Sequence, residues 1–198
     1  MKRKQKAHIS DKNKGKKMKQ NITIRDQIIA LLKKEPNSER IASLVAELER
    51  QQPADLTQQA AQLGGVWELR WSSSSQPWLK QSPWLENLQV LDLEQQRGCN
   101  LLRLRGPLQD VGAIRVEASL KIVDHKRVQI QFQKGGWIGP RLFGAKRLAL
   151  MRDVTQSFLA WLDITVLDDQ LRICKGNAGT TFALLRLEQH NPISDNFK

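Results

Sequence analysis

Apolar residues recur every third or fourth position up to Leu63, and from Val66 onward they alternate one by one with polar residues; this change of period divides the chain. In the first part Ile24, Ile28, Leu31 and Leu32 fall on one helical face that stops before Pro36. Asn37 or Ser38 is placed to cap a second helix carrying Ile41, Leu44, Val45 and Leu48. Pro53 and Asp55 open a third helical stretch with Leu56, Ala60 and Leu63, ended by Gly64-Gly65. These three short helices read as packing elements.

In the second part Trp67, Leu69 and Trp71 share one strand face, with Glu68 and Arg70 on the other. A Ser- and Pro-containing loop, residues 72–83, bears Trp78 and leads to Trp84. Leu88 to Leu93 is a faint strand, and Asn100 to Arg105 sets Leu102 and Leu104 opposite Arg103 and Arg105. The clearest alternation is Ile114, Val116, Ala118, Leu120 and Ile122 against Arg115, Glu117, Ser119 and Lys121. Asp124-His125-Lys126 then turns the chain into Val128, Ile130 and Phe132. Gly135-Gly136 predicts the start of a long irregular insertion, after which Phe158–Val166, Gln170–Cys174 and Thr180–Leu187 read as closing strands. About eight strands is the number at which an antiparallel sheet closes into a barrel with room for one small ligand. The predicted fold is mainly β, an antiparallel barrel preceded by short helices. Its divisions are a disordered Lys-rich tail (1–20), a helical segment packed on the barrel (21–64), the barrel (65–190) and a C-terminal tail (191–198).

Six Trp and no Tyr make an unusual aromatic inventory, and a cavity for a long apolar molecule needs wide apolar walls with few polar groups. Alternation assigns the cavity-facing positions to Trp67, Leu69, Trp71, Val116, Leu120, Ile130, Phe132, Trp161 and Phe182. The competing reading is that these rings fill a closed core.

Charge changes the picture less than the total suggests. Of the net +12, a local excess of eight sits in residues 1–19, where nine Lys or Arg face the single acid Asp11. The body is only mildly basic. The tail has no apolar run resembling a signal-peptide core and is Lys-rich rather than Arg- and Ser-rich, unlike a transit peptide. Each such cation near an anionic membrane contributes about 1 kcal/mol, so the tail suits peripheral attachment; it equally suits nonspecific nucleic-acid binding, or no dedicated partner. Cys99 and Cys174 lack metal-binding spacing, which favours two free thiols. No run approaches the length of a membrane span.

The stretch Trp161-Leu162-Asp163-Ile164-Thr165-Val166-Leu167-Asp168-Asp169, followed by Leu171-Arg172-Ile173, Gly176-Asn177, Gly179, Phe182 and Leu184, resembles the C-terminal signature of the plastid lipid-associated protein (fibrillin) family. Gly65-x-Trp67 resembles a lipocalin opening. The resemblance covers residues 64–186 and is most specific in the last 30 of them. It implies a lipocalin-like barrel and non-catalytic association with a hydrophobic molecule (isoprenoid, quinone, carotenoid or acyl lipid) at photosynthetic membranes. It also implies presentation of that molecule to a protein partner in isoprenoid or quinone metabolism. The Lys-rich start departs from a plastid import sequence, favouring a cyanobacterial-type member at the cytoplasmic face of thylakoid or other membranes. Cys174 stands where a small polar residue is expected.

Within this signature Asp168-Asp169 suits a tight turn, as does Gly176-Asn177-x-Gly179. Asp163 and Arg172 are placed to pair across adjacent strands, and Arg186 to lie over Trp67, forming a latch that holds the barrel's shape. The insertion mixes Trp137, Ile138, Leu142 and Phe143 with Arg141, Lys146 and Arg147, a composition suited to rimming the cavity mouth and touching lipid, or to plugging the barrel. Catalysis finds little support: His8, His125 and His190 are scattered, and no nucleophile motif, phosphate loop or metal-ligand cluster occurs, so neither a cofactor nor a metal is expected. The alternatives to a carrier are a basic-tailed nucleic-acid-binding protein and a membrane-surface structural protein without a cavity.

Overall fold

The computed structural model describes residues 22–109, 111–142, 146–156 and 158–187; the basic tail, Phe143, His190 and the C-terminal residues lie outside the described set. Three helices come first: α1 (Ile24–Lys34), α2 (Arg40–Gln51) and α3 (Leu56–Leu63). Thr23 caps α1, its hydroxyl accepting from the Asp26 amide at 3.1 Å, and Asp55 caps α3 by accepting from the Thr57 amide at 2.9 Å. The N-cap of α2 is Glu39 rather than Asn37 or Ser38, and it makes no side-chain cap hydrogen bond. The chain needs Pro36 through Ser38 for the reversal, which moves the helix start one residue later than the cap preference suggests.

Nine antiparallel strands follow: β1 (Gly65–Ser72), β2 (Leu85–Asp92), β3 (Arg97–Leu104), β4 (Ala113–Ile122), β5 (Arg127–Leu142), β6 (Lys146–Asp153), β7 (Ala160–Leu167), β8 (Leu171–Gly176) and β9 (Thr181–Arg186). Each of β1 to β5 pairs with the next, β5 pairs with β7, β7 to β9 pair in order, and β9 returns to β1. That ring holds eight strands. The ninth, β6, lies outside it, paired to the far half of β5 (Lys134 to Leu142) while the near half (Arg127 to Ile130) pairs with β7.

Residues 135–142 are therefore strand, not irregular insertion. Gly135-Gly136 looks like a chain breaker, but a Cβ at Gly136 would overlap the Leu150 carbonyl, so the glycine serves close approach of two strands.

The ring is covered outside and closed at one end. Ile28, Leu32, Ile41, Val45 and Leu48 of α1 and α2 pack against Val166, Leu171, Ile173, Ala183 and Leu185 on the outer face of β7 to β9. Each of the Ile, Leu and Val side chains withdrawn from water contributes about 1.5–3 kcal/mol. Two polar links fix this layer. Arg70 Nε donates to the Leu32 carbonyl at 2.9 Å near the end of α1, and Arg25 donates to both oxygens of Asp168 at 2.6 and 2.9 Å. The short α3 plugs the end of the ring: the Ala54 amide donates to the Thr165 carbonyl, the Leu56 amide to His125, and the Gln59 side chain to Leu167.

A bulge in β1 has a local consequence. Register with β9 runs Leu69 to Leu184 and then Trp71 to Ala183, leaving Arg70 as the extra residue. Trp71 consequently turns to the outer layer beneath the helices and does not share a face with Trp67 and Leu69.

Candidate functional site

The interior of the ring holds a cavity of about 540 Å³, within the ~300–1,000 Å³ span of small-molecule pockets. Period-two alternation delivers its walls: Leu69, Val116, Leu120, Ile130, Phe132 and Phe182 all line it, as do Leu91, Ile164 and Leu162. Leu63 of α3 lies at the closed end. At the other end the rim is made by Ser74, Gln76 and Trp78 from the β1–β2 loop, Phe158 before β7, and Asn177, Ala178 and Thr180 from the β8–β9 turn. Trp78 and Phe158 are more than half exposed there, with Leu159 beside them.

Two expected aromatic contacts are placed otherwise, and a third, Trp161, lies at the border. Trp71 lies outside, as described. Trp67 is wholly buried below the cavity, its Nε1 donating to the Leu63 carbonyl at 2.9 Å, and it forms part of the floor's packing rather than the lining. Trp161 borders the cavity, but Val128 faces inward, so Arg127, Asp163 and Trp161 share the outer side; there the Arg127 guanidinium stacks 4.0 Å from the Trp161 ring.

The expected Asp163–Arg172 pair does not form. Arg127 donates to Asp163 through Nε at 2.7 Å and Nη2 at 2.9 Å. The Asp163 register partner is Lys175, and Arg172 projects into the interior, so the two side chains stand on opposite faces of the sheet. Arg172 instead lies 5.0 Å from the Trp67 ring and donates to Gln89 Oε1. Arg186 stacks on the same ring at 4.3 Å. It also donates to the carbonyls of Gly64 at 2.6 Å, Asp169 at 2.8 Å and Gln62, capping the end of α3. Gly65 makes room for this: its φ is +120°, and a Cβ would stand 2.5 Å from Arg186 Nη1.

The turn residues sit in turns. Asp168 Oδ1 accepts from the Gln170 and Leu171 amides at 2.8 and 2.9 Å. Burial pushes the Asp168 carboxyl up, and its bonds to Arg25 and to the Gln170 and Leu171 amides outweigh that, holding it below the ordinary carboxylate range. The Asp169 carbonyl serves Arg186. Gly179 takes φ +78°, its amide donating to the Gly176 carbonyl at 2.9 Å, and Asn177 Nδ2 donates to Leu159 across the rim at 3.4 Å.

Of the expected membrane-contact residues, Trp137 is 43% exposed, Ile138 is buried and Arg147 is exposed; Arg141, Leu142 and Lys146 are described as strand backbone alone. Trp137 stands opposite Ile114 on β4 and Leu150 on β6, which are 54% and 62% exposed. Ile114 shares its face with Val116 of the cavity wall, so this apolar row continues the interior surface beyond the rim.

Sequence reasoning missed the polar part of the lining: Asn87, Gln89 and Asn100 on β2 and β3, and Arg172 on β8. Inward alternation of Asn87, Gln89 and Leu91 was the signal available for the first two. Cys99 and Cys174 are free and buried, Cys99 in the outer cluster with Val66 and Val90 and Cys174 in the inner one with Trp67. Burial raises the Cys99 thiol to about 11 and raises that of Cys174 as well. Among the described residues no group of three His, Cys, Asp or Glu is arranged to hold a metal, and no helix is long and apolar enough to cross a membrane.

A model of the PAP/fibrillin family matches residues 16–185. Comparison with curated proteins and with solved structures gives no match. Helical cover, cavity and all of the ring but Arg186, the last residue of β9, fall inside the matched span, and the chain belongs to the PAP/fibrillin family of lipid-associated proteins.

Proposed function

We propose that this protein is a non-catalytic carrier that takes a hydrophobic small molecule, an isoprenoid, quinone, carotenoid or acyl lipid, into its barrel at or near photosynthetic membranes. The observation that carries the reading is the cavity of about 540 Å³ with mostly apolar walls, opening at a rim where Trp78 and Phe158 are exposed. Burying an apolar guest there gains about 25 cal/mol for each Å² removed from water. The Ile114–Trp137–Leu150 row beyond the rim suits the headgroup boundary of a bilayer, where aromatic and apolar side chains enter and a guest passes without crossing water. The Lys-rich tail adds attraction to anionic lipid.

The test is extraction of the purified full chain from a photosynthetic host, with mass spectrometry of the extract. A hydrophobic compound near one equivalent is expected with the natural chain and is expected to vanish with Ala118→Trp, which fills the lumen. Extracts that are empty, or alike for both proteins, overturn the reading.

A further inference from the structure

Arg172 is the one charged side chain in the cavity lining among the described residues, and it is 1% exposed near the closed end. Trp67 lies below its guanidinium and Gln89 accepts one of its N–H groups, but neither carries a negative charge. Its Nε is buried with no hydrogen-bond partner, and among the described residues no carboxylate pairs with it. The other cation on the Trp67 ring, Arg186, adds positive charge to the same place. Burial lowers Arg172 to about 10, so it remains a cation at neutral pH. A buried guanidinium with an idle donor and no protein counter-charge is costly.

We propose that Arg172, with Gln89 beside it, is a headgroup subsite for the carboxylate of a long-chain acyl anion that enters the barrel head first. The inference rests on the carrier reading and narrows it to one class of guest. The carboxylate accepts from the guanidinium in a planar, charge-assisted arrangement, and Trp67 holds that plane from below. The acyl chain then runs between Leu120, Ile130 and Phe182 towards the rim. A neutral isoprenoid leaves the cation uncompensated. A phosphate monoester brings more charge and more acceptor oxygens than one guanidinium and one amide satisfy.

The experiment titrates the full chain with cis-parinaric acid, a fluorescent long-chain carboxylate, and with its methyl ester, at neutral pH. The natural protein is expected to bind the acid at least about tenfold more tightly than the ester. Arg172→Met is expected to remove that preference, bringing acid and ester to equal affinity. Arg172→Gln, which keeps a hydrogen-bonding partner for Gln89, is expected to do the same and serves as an independent variant. Equal binding of acid and ester by the natural protein, or a preference that survives in both variants, overturns the headgroup subsite and leaves the carrier reading standing. Failure of the folded protein to bind either probe overturns both.

Discussion

Trp67 shows how one side chain closes a barrel end. Its ring carries both Arg172 and Arg186, its indole N–H is taken by Leu63, and Gly65 two positions earlier leaves space for the Arg186 fork. Removing the ring leaves a cavity beside the buried Arg172 and the half-buried Arg186. Trp67→Ala is expected to lower unfolding free energy by about 3–5 kcal/mol, read by urea denaturation. A loss below about 1 kcal/mol would show that the floor holds without it. The sequence made the Arg186–Trp67 proximity legible because the first and last strands of a closed barrel are neighbours. The partner of Arg172 was illegible: parity in β8 turns that residue inward and parity in β7 turns Asp163 outward, and the bulge between Ile164 and Val166 hides the relation from simple counting.

At the scale of elements, periodicity located all three helices and eight of the nine strands, since each buries one face and repeats accordingly. It failed at Trp71, where one extra residue reversed the alternation, and at β6. Gly135-Gly136 within β5 mimicked a loop, and Lys146–Asp153 gave no strand signal. The attachment of α1 was equally unreadable, because Arg25 and Asp168 are 143 positions apart. That pair makes a pH-dependent contribution. The Asp168 carboxyl is held below its ordinary 3.8, so the stabilisation is complete above that value and is lost as pH falls below it through the lowered folded value. Asp168→Asn is expected to cost about 1–2 kcal/mol at neutral pH and to flatten the acid limb of the stability curve, measured by thermal melts across pH. An unchanged acid limb would exclude the pair as its source.

For the whole molecule, the arrangement separates tasks by direction. One end is plugged by α3, one flank is armoured by α1 and α2, and the open end carries the apolar row of Ile114, Trp137 and Leu150. If that end meets lipid, Trp137→Ser with Leu150→Ser should weaken binding to anionic vesicles by on the order of tenfold while uptake of a soluble probe by the barrel is unchanged. Vesicle binding that survives both substitutions and disappears on removal of residues 1–19 would assign attachment to the tail alone.

The rim tryptophan has a practical corollary. The chain contains no Tyr, so its near-ultraviolet emission belongs to indoles, and Trp78 alone among the six both lines the lumen and stands more than half open to solvent. Entry of an added apolar probe into the lumen can therefore be tested through the colour and quenching of native light emission, with no dye attached to the barrel.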